Sequence, residues 1–367
     1  MESIKVNLKR REDKSYEIII GSNILKDIPF ELKKRKLAHS YVIITDSNVS
    51  TLYGNKLLTT FRRAKLNTHL ISFPAGEKNK NRGTKVLIEN EIMKFGLSRD
   101  SAVIALGGGV VGDVAGFVAA TYNRGIPYIQ IPTTLVACVD SSVGGKTGID
   151  TPYGKNLIGA FHQPYKVYID VQTLSTLEKK EIREGLAEVI KYGVIKDEKF
   201  FKYLENYISQ VFAFNFDILI PIIKKCCQIK GKIVEMDEKE SNLRKILNFG
   251  HTIGHAIEQL YNYKISHGEA ISIGMILEGK VALKMGLWKL DEFERLYILL
   301  KKASLPTHLP TRISVLKLIN TMKLDKKTRG GNIEMVLPRK IGEMSEIIGQ
   351  YGNKIEEKLI LNVLSHY

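Results

Sequence analysis

Three of the eight histidines in the chain lie within a segment of seventeen residues, close to acidic side chains. His251 and His255 stand four residues apart in the run LNFGHTIGH, and His267 lies in SHGEA two residues before Glu269. Residues four apart lie on one face of a helix. Imidazole and carboxylate groups grouped in this way are typical of a metal site.

A further candidate ligand lies upstream, where Glu188 and Lys191 stand three residues apart in GLAEVIKYG. Two histidines and one glutamate that leave a fourth position open suit a catalytic zinc ion or a similar divalent ion. HTIGH shares its histidine spacing with the peptidase motif HExxH, but Thr252 stands where the glutamate base would be, which argues against a peptidase. The alternative, that these histidines cap helices or hydrogen-bond internally, stays open on spacing alone.

A glycine-rich turn, GGGVVG, follows the β-branched run SAVIAL and leads into the helical run VAGFVAAT. Glycines allow the backbone to approach a pyrophosphate, and the helix N-terminus supplies N–H donors, so the turn predicts a phosphate cradle. The acidic residue expected about 20 positions later in a standard Rossmann turn is missing. Asp46, at the end of the run SYVIIT, is a candidate for a ribose hydroxyl, although an Asx-turn or a helix cap explains it equally well.

Several basic residues lie in glycine-rich or polar motifs, where a cation is well placed to hold phosphate or carboxylate. Each one alone is better explained as a solvated charge, but as a set they predict an anionic substrate. The set comprises Arg124, Lys146, Lys155 next to Asn156, Arg244 near Asn248, and the pair Lys326 and Lys327.

The first half of the sequence alternates β-branched runs with helical patterns, for example Arg82 to Phe95, which favours a parallel sheet covered by helices. The first twenty residues also contain strand-like pieces, interpreted as a hairpin at the sheet edge. The predicted strands are Ser40 to Thr45, Thr68 to Phe73, Ser101 to Leu106, Tyr128 to Ile131 and Lys166 to Asp170.

After about Leu177 helical patterns dominate, and strand signals nearly vanish until Ile333 to Leu337. The prediction is an α/β N-terminal domain with a Rossmann-like parallel sheet at 1–177 and an all-α C-terminal metal-binding domain at 178–367. We expect the active site between them. The predicted helices are Glu178 to Val194, Phe200 to Ile208, Ile218 to Glu235, Thr252 to Tyr261, Ala270 to Lys284 and Glu292 to Ala303.

Composition limits the remaining classes of protein. The apolar fraction of 44% is ordinary for a globular enzyme. A chain of 367 residues is too long for one typical hydrophobic core and suits two domains. No apolar run reaches the ~18 residues of a membrane span, and the N-terminus lacks a signal-peptide pattern. Three cysteines without a CxxC pair indicate a reduced, cytoplasmic compartment. The net charge of +16 would suit nucleic-acid binding, but the lysines are dispersed and no nucleic-acid motif accompanies them, so we expect no nucleic-acid partner.

Taken together and in order, the motifs resemble the 3-dehydroquinate synthase family of sugar-phosphate cyclases from about Tyr41 to Arg339. The motifs are PAGEKNK, GGGVVGDVAGFVAATYNRG, IPTTLVACVDSSVGGKTGID, GKNLIGAFHQP, GLAEVIKYG, LNFGHTIGHAIE, SHGEAISIGM and LDKK. The resemblance implies NAD, a Zn²⁺ or Co²⁺ ion, and a homodimer. It implies the metal ligands Glu188, His251 and His267.

The resemblance also implies two further groups of residues. Those that would bind NAD are Asp46, Ala75, Gly76, Glu77, Lys78, Asn79, Lys80, Gly109, Val110, Val111, Gly112, Asp113, Thr133, Thr134, Lys146, Lys155, Thr173, Leu174, Ser175 and Thr176. Those that would serve the substrate are Asp140, Lys146, Asn156, Lys191, Lys230, Arg244, Asn248, His255 and either Lys326 or Lys327, here taken as Lys327, with Arg124 reaching the neighbouring subunit's site. The acidic stretch EMDEKES before Arg244 is interpreted as an ordinary segment that carries no motif residue.

The implied reaction closes 3-deoxy-arabino-heptulosonate 7-phosphate into 3-dehydroquinate with loss of phosphate, and NAD is regenerated in each turnover. His255 is the candidate base. The alternatives are another sugar-phosphate cyclase, which differs at substrate-facing positions, and a metal-dependent glycerol or alcohol dehydrogenase, which needs no phosphate clamp.

Overall fold

A computed structural model describes residues 13–262, 264–309, 313–324 and 333–365. Its first half is built on strands, and half of these strands are buried along nearly all of their length, the pattern typical of parallel strands covered on both faces. The strands are β1 Glu17–Gly21, β2 Ser40–Asp46, β3 Asn67–Phe73, β4 Ser101–Gly107, β5 Tyr128–Pro132, β6 Lys146–Thr151, β7 Gly154–Phe161 and β8 Lys166–Asp170.

Six of these strands form one parallel sheet in the order β1-β8-β5-β4-β2-β3. Alternate side chains of each strand face opposite layers. The helices of this half are α1 Ile28–Arg35, α2 Ser47–Val49, α3 Asn55–Arg63, α4 Arg82–Lys94 and α5 Gly109–Thr121. Val42 and Val103 pack with α4 and α5, whereas Ile43 and Ile104 pack with α1 and α3.

The second half is mainly helical, and its core is continuous with the face of β8 that carries Val167 and Ile169. Two small two-stranded sheets accompany the helices. The elements are α6 Lys179–Lys196, α7 Glu198–Tyr207, α8 Phe216–Met236, α9 His251–Leu260, α10 His267–Lys284, α11 Leu290–Lys302, α12 Val315–Leu324, α13 Glu357–Ser365, β9 Ile333–Met335, β10 Pro338–Lys340, β11 Glu343–Met344 and β12 Asn353–Ile355.

The fold confirms the predicted parallel sheet followed by a helical half, and all five predicted strands lie within one residue of the observed ones. In the predicted edge hairpin, only β1 lies in the described residues, and it pairs with β8 in parallel. The antiparallel hairpin of β6 and β7 was not predicted. The proposed boundary at 177/178 falls between β8 and α6 and stays a prediction.

All six strands of the sheet run in the same direction, so their carboxyl ends lie along one edge. The chain runs from β2 to β3 on one side and then returns to β4 on the other, so the strand order reverses between β2 and β4. Ligands of open α/β sheets bind outside the carboxyl ends at such a reversal. Asp46 and Gly107 end these two strands, so the two sequence candidates for dinucleotide binding flank this point.

Among the residues that the structure describes, no helix combines the length and the apolar character that crossing a membrane requires.

Candidate active site

Three helices bring the predicted metal ligands together. Glu188 on α6, His251 at the start of α9 and His267 at the start of α10 place their ligand atoms within 4.8 Å of one another. Oε1 of Glu188 lies 3.4 Å from Nε2 of His251 and 3.2 Å from Nε2 of His267. Spacing alone left the convergence of these three segments open, and the structure brings them together; the ligand assignment that the resemblance implies stays a prediction.

Glycines at the helix crossings make this convergence sterically feasible. A Cβ on Gly274 of α10 would lie 1.9 Å from the carbonyl oxygen of Gly250, which precedes α9. A Cβ on Gly268 of α10 would lie 2.4 Å from Cα of Glu184 on α6. Both contacts are with backbone and cannot be relieved by side-chain rotation. The three helices approach closely enough to share a metal site because these positions lack a side chain.

The ring of His251 is oriented for metal ligation. Its Nδ1 lies 3.1 Å from the carbonyl oxygen of Phe249, so Nδ1 donates and Nε2 keeps its lone pair toward Glu188. Burial, aided by the nearby ammonium of Lys191, lowers the pKa of His251 to about 3, so the ring is neutral. A neutral imidazole nitrogen facing a carboxylate oxygen leaves two lone pairs opposed, an arrangement that a cation between them stabilises. The donor set fits Zn²⁺ or Co²⁺.

Glu188 is 1% exposed and forms an ion pair with Lys191, one helical turn away. Burial opposes its ionisation, but the ammonium of Lys191 and the two imidazoles hold the pKa of Glu188 well below its ordinary value. Its Oε2 is the atom that pairs with Nζ of Lys191, which leaves Oε1 facing the two histidine rings. A buried, charged carboxylate with one oxygen turned toward two imidazole nitrogens is suited to a metal ligand.

His267 has a second carboxylate partner that the sequence analysis did not identify. Its Nδ1 lies 3.3 Å from Oε2 of Glu258. Burial lowers the pKa of His267, but Glu188 and Glu258 outweigh this and raise it to about 10. Glu269, the other acid of SHGEA, forms a capping box with Ser266 at the start of α10, so its carboxylate is engaged away from the ligand set.

Beside the metal ligands lies a buried network of opposite charges. Nζ of Lys230 on α8 lies 2.8 Å from Oδ1 of Asp140, and the hydroxyl of Tyr192 donates to the same oxygen at 2.6 Å. Burial raises the pKa of Asp140, but Lys230 and Lys191 outweigh it and keep the carboxyl ionised. The predicted residues Asp140, Lys191 and Lys230 therefore form one cluster.

Arg244 is 1% exposed and is held by backbone carbonyls. Its Nη2 donates to Gly144 at 3.1 Å and its Nη1 donates to Glu238, while Nε has no partner among the described residues. Asp237 accepts from the backbone of Ser241 and Arg244 at 2.8 and 3.0 Å, which fixes the turn that presents this guanidinium. A buried cation with one unused donor suits an anionic substrate.

Glu240 corrects the interpretation of EMDEKES as ordinary. Its carboxylate accepts from Nδ2 of Asn248 at 2.6 Å and forms an ion pair with Lys146. Glu240 therefore links Asn248 of the helical half to Lys146 on β6, and both of these are predicted substrate residues. Its backbone φ of 60° lies in the left-handed region, which is uncommon for a residue other than glycine and is found disproportionately at functional sites. Spacing alone carried no signal for it, because the contact joins residues far apart in sequence.

The glycine turn lies at the carboxyl edge of the sheet and opens α5. Gly108 precedes α5 without a side-chain cap, and a Cβ there would meet Thr134 at 3.1 Å. The hydroxyl of Thr133 is buried and has no partner in the described residues. Val111 is fully buried in the core, so only its backbone can face a cofactor. These features fit a pyrophosphate lying against backbone N–H groups.

The segment AGEKNK lies beside this turn, after β3. Nζ of Lys80 pairs with Asp113, the last residue of the predicted phosphate loop. Burial lowers the pKa of Lys80, but Asp113 and Glu77 outweigh it and raise it. Lys155 on β7 lies 3.3 Å from Glu77 and 3.1 Å from Glu258, so it contacts both halves of the site.

Asp46 and the Thr173–Thr176 segment border the same edge and have local partners. Oδ1 of Asp46 caps α2 by accepting from Asn48 and Val49 at 2.9 Å each, which is the helix-cap alternative of the sequence analysis. The ribose contact suggested for Asp46 stays a prediction. Thr173 and Thr176 donate their hydroxyls to nearby carbonyls, and Thr176 also contacts the hydroxyl of Tyr53 at 2.7 Å.

Some predicted residues are not brought into this cluster. Arg124 is exposed at the far end of α5, roughly 20 Å along the helix from Gly109. Asn156 is exposed on β7, and its backbone N–H donates to Asp150. Lys326 and Lys327 lie outside the described residues. His255 does join the site, because its ring lies 5.2 Å from that of His251.

Comparisons with known proteins agree with this geometry. The family described as 3-dehydroquinate synthase N-terminal matches residues 70–184, and the family described as 3-dehydroquinate synthase C-terminal matches residues 185–328. A 3-dehydroquinate synthase of Prochlorococcus marinus is 47% identical over 98% of this chain and 97% of its own length.

Two solved structures share the whole fold at 27% identity and a TM-score of 0.88 each. One is 2-deoxy-scyllo-inosose synthase complexed with carbaglucose-6-phosphate, NAD⁺ and Co²⁺, matched over 95% of this chain and 96% of that chain. The other is 2-epi-5-epi-valiolone synthase from Streptomyces hygroscopicus with NAD⁺ and Zn²⁺, matched over 98% and 99%. With two family matches that together span most of its length and a relative at 47% identity, the chain belongs to the 3-dehydroquinate synthase family.

Proposed function

We propose that this chain is a 3-dehydroquinate synthase, which converts 3-deoxy-arabino-heptulosonate 7-phosphate into 3-dehydroquinate and phosphate in aromatic amino acid biosynthesis. The observation that carries the proposal is the convergence of Glu188, His251 and His267 beside buried cations. The chain is 47% identical to a 3-dehydroquinate synthase, whereas its sequence identity to 2-deoxy-scyllo-inosose synthase, a different cyclase, is 27%. This difference favours 3-dehydroquinate synthase activity over that of the other cyclases.

The residues present fit both groups that the family implies. Glu188, His251 and His267 would hold Zn²⁺ or Co²⁺, and the loops after β2, β3, β4 and β5 would hold NAD. When bound, NAD supplies a reversible hydride acceptor and the metal ion supplies a Lewis acid for the substrate hydroxyls.

The chain's own cations bind and orient the substrate's two anionic ends. Lys191, Lys230 and Arg244 are each at most 6% exposed, so their charges act in a site with little water. The guanidinium of Arg244 is held by two carbonyls and does not reorganise when an anion binds. We assign the carboxylate and phosphate of the substrate to this cluster together with Lys146, Asn156, Asn248 and Lys327.

His255 is the residue that we assign to proton removal from a substrate hydroxyl. It is half-buried and lies one helical turn after His251, which keeps its ring beside the metal ligands. A general base must lie within hydrogen-bond reach of the proton that it removes. Orientation by the buried cations would place that hydroxyl next to His255.

The same proposal includes the molecular context. We propose a homodimer, because Arg124 lies too far along α5 to serve its own site and is exposed for a neighbouring one. We also propose a cytoplasmic location, and domains divided at 177/178.

A substrate panel tests the function. Purified protein, NAD and Zn²⁺ are mixed separately with the heptulosonate phosphate, sedoheptulose 7-phosphate, glucose 6-phosphate and glycerol. We expect rapid phosphate release from the first only. Turnover of either other sugar phosphate alone would make the chain a different cyclase, and NADH formation from glycerol alone would make it a dehydrogenase.

A further inference from the structure

Glu258 is a buried carboxylate that none of the roles above uses. It lies on α9, three residues after His255, and is 3% exposed. An ionised carboxylate is buried at this level only when it is paired. The pairing of Glu258 therefore indicates what it does.

The first partner is a metal ligand. Oε2 of Glu258 lies 3.3 Å from Nδ1 of His267, while Nε2 of the same ring points to Glu188 at 3.2 Å. A histidine that ligates a metal through one ring nitrogen commonly donates the other N–H to a carboxylate, which fixes its tautomer and orientation and makes it a stronger ligand. Glu258 stands in that position relative to His267.

The second partner comes from the α/β half. Oε1 of Glu258 accepts from Nζ of Lys155 at 3.1 Å, and Lys155 also lies 3.3 Å from Glu77. The two oxygens of Glu258 are thus held from opposite sides by a ring N–H and an ammonium. Lys155 restricts the rotation of the carboxylate and balances its charge.

We propose that Glu258 is a positioning residue that holds His267 in its ligand orientation, and that Lys155 in turn anchors Glu258. The metal ligand on α10 is thereby tied through α9 to β7, a strand that precedes the helical half. This inference rests on the metal site of the proposed function.

Metal affinity measured without substrate tests the proposal. Zn²⁺ is titrated into metal-free protein in competition with a chromophoric chelator, for wild type, Glu258→Gln and Glu258→Leu. Both substitutions should weaken Zn²⁺ binding by about 10- to 100-fold, the range found when such outer carboxylates are removed. Glu205→Gln is the matched control, since Glu205 is another paired carboxylate of the helical half and binds Arg295.

A Co²⁺ spectrum and a thermal melt separate positioning from a general structural role. The visible absorption of the Co²⁺-loaded protein should change in shape in Glu258→Gln, because the orientation of His267 changes. The melting temperature of the metal-free variant should stay near that of Glu205→Gln. A lower melting temperature with an unchanged spectrum and unchanged affinity would overturn the proposal.

A double-mutant cycle tests the part played by Lys155. Lys155→Met should weaken Zn²⁺ binding less than Glu258→Gln does, and adding it to Glu258→Gln should cost little more, because both act through one contact. Fully additive effects would refute the anchoring role.

The outcomes also distinguish this proposal from the metal site itself. If wild type binds Zn²⁺, His267→Ala loses it and Glu258→Gln binds as wild type does, only the role of Glu258 is wrong. If His267→Ala binds Zn²⁺ as wild type does, the ligand assignment is wrong and the role of Glu258 is wrong with it.

Discussion

At the scale of residues, Glu188 combines burial with contacts to both candidate ligand histidines. Its Oε1 lies within 3.4 Å of the two Nε2 atoms, and its charge is also paired with Lys191. We predict that Glu188→Ala and His267→Ala abolish turnover because they lose the metal. Elemental analysis of the purified variants, run beside Glu205→Gln, checks this prediction. Variants that kept full activity after chelation would show that other residues bind the ion.

Asp237 gives a pH-dependent prediction. Backbone N–H groups of Ser241, Asn242 and Arg244 donate to its carboxylate, and these bonds outweigh burial and lower its pKa. A lowered pKa stabilises the fold above the unfolded value, roughly 3.9, and this stabilisation is lost as pH falls through the folded pKa. Asp237→Ala should lower the free energy of unfolding by about 2 kcal/mol at pH 7, because the hydrogen bonds to the charged carboxylate are lost.

Denaturant unfolding of wild type and Asp237→Ala at a series of pH values measures this. The difference in unfolding free energy should stay constant between pH 8 and pH 5 and begin to shrink below about pH 4. A difference that was the same at every accessible pH would show that the carboxylate charge plays no part.

At the scale of elements, the crossing of α9 and α10 is set by glycine. Gly274→Ala would place a Cβ 1.9 Å from the carbonyl oxygen of Gly250, so one helix must shift. We predict a lower melting temperature and weaker Zn²⁺ binding, because His251 and His267 lie on the two helices that separate. Gly231→Ala on α8 is the matched control, as its Cβ would meet nothing within 4 Å. Equal effects of the two substitutions would exclude this crossing as the cause.

The same elements show what the sequence could and could not predict. The parallel strands were predictable because their buried runs, such as SAVIAL, are continuous. The β6–β7 hairpin was missed because its residues were interpreted as polar motifs, and β7 from Gly154 to Phe161 contains no buried residue. Candidate metal ligands were recognised because histidines cluster in sequence, but the choice of Glu188, His251 and His267 among them came from the family resemblance. Glu240 and Glu258 were missed because their partners, Lys146 and His267 among them, become neighbours only in the fold.

At the scale of the whole molecule, the exposed position of Arg124 makes the proposed dimer testable. Arg124→Ala and Glu188→Ala homodimers should each have low activity. After unfolding and refolding together, mixed dimers should contain one site with both residues intact, so about a quarter of wild-type activity should return. Refolding each variant alone is the control. If no activity returns in verified mixed dimers, Arg124 does not serve the neighbouring site.

The central claim is a cyclase that uses NAD and returns it unchanged. The most direct measurement mixes the protein with the heptulosonate phosphate, Zn²⁺ and a trace of NAD, and follows inorganic phosphate and NADH absorbance together. The account predicts phosphate release far exceeding the NAD present, without lasting NADH. NADH that accumulates in step with product, or phosphate release that stops at one equivalent of NAD, would contradict it.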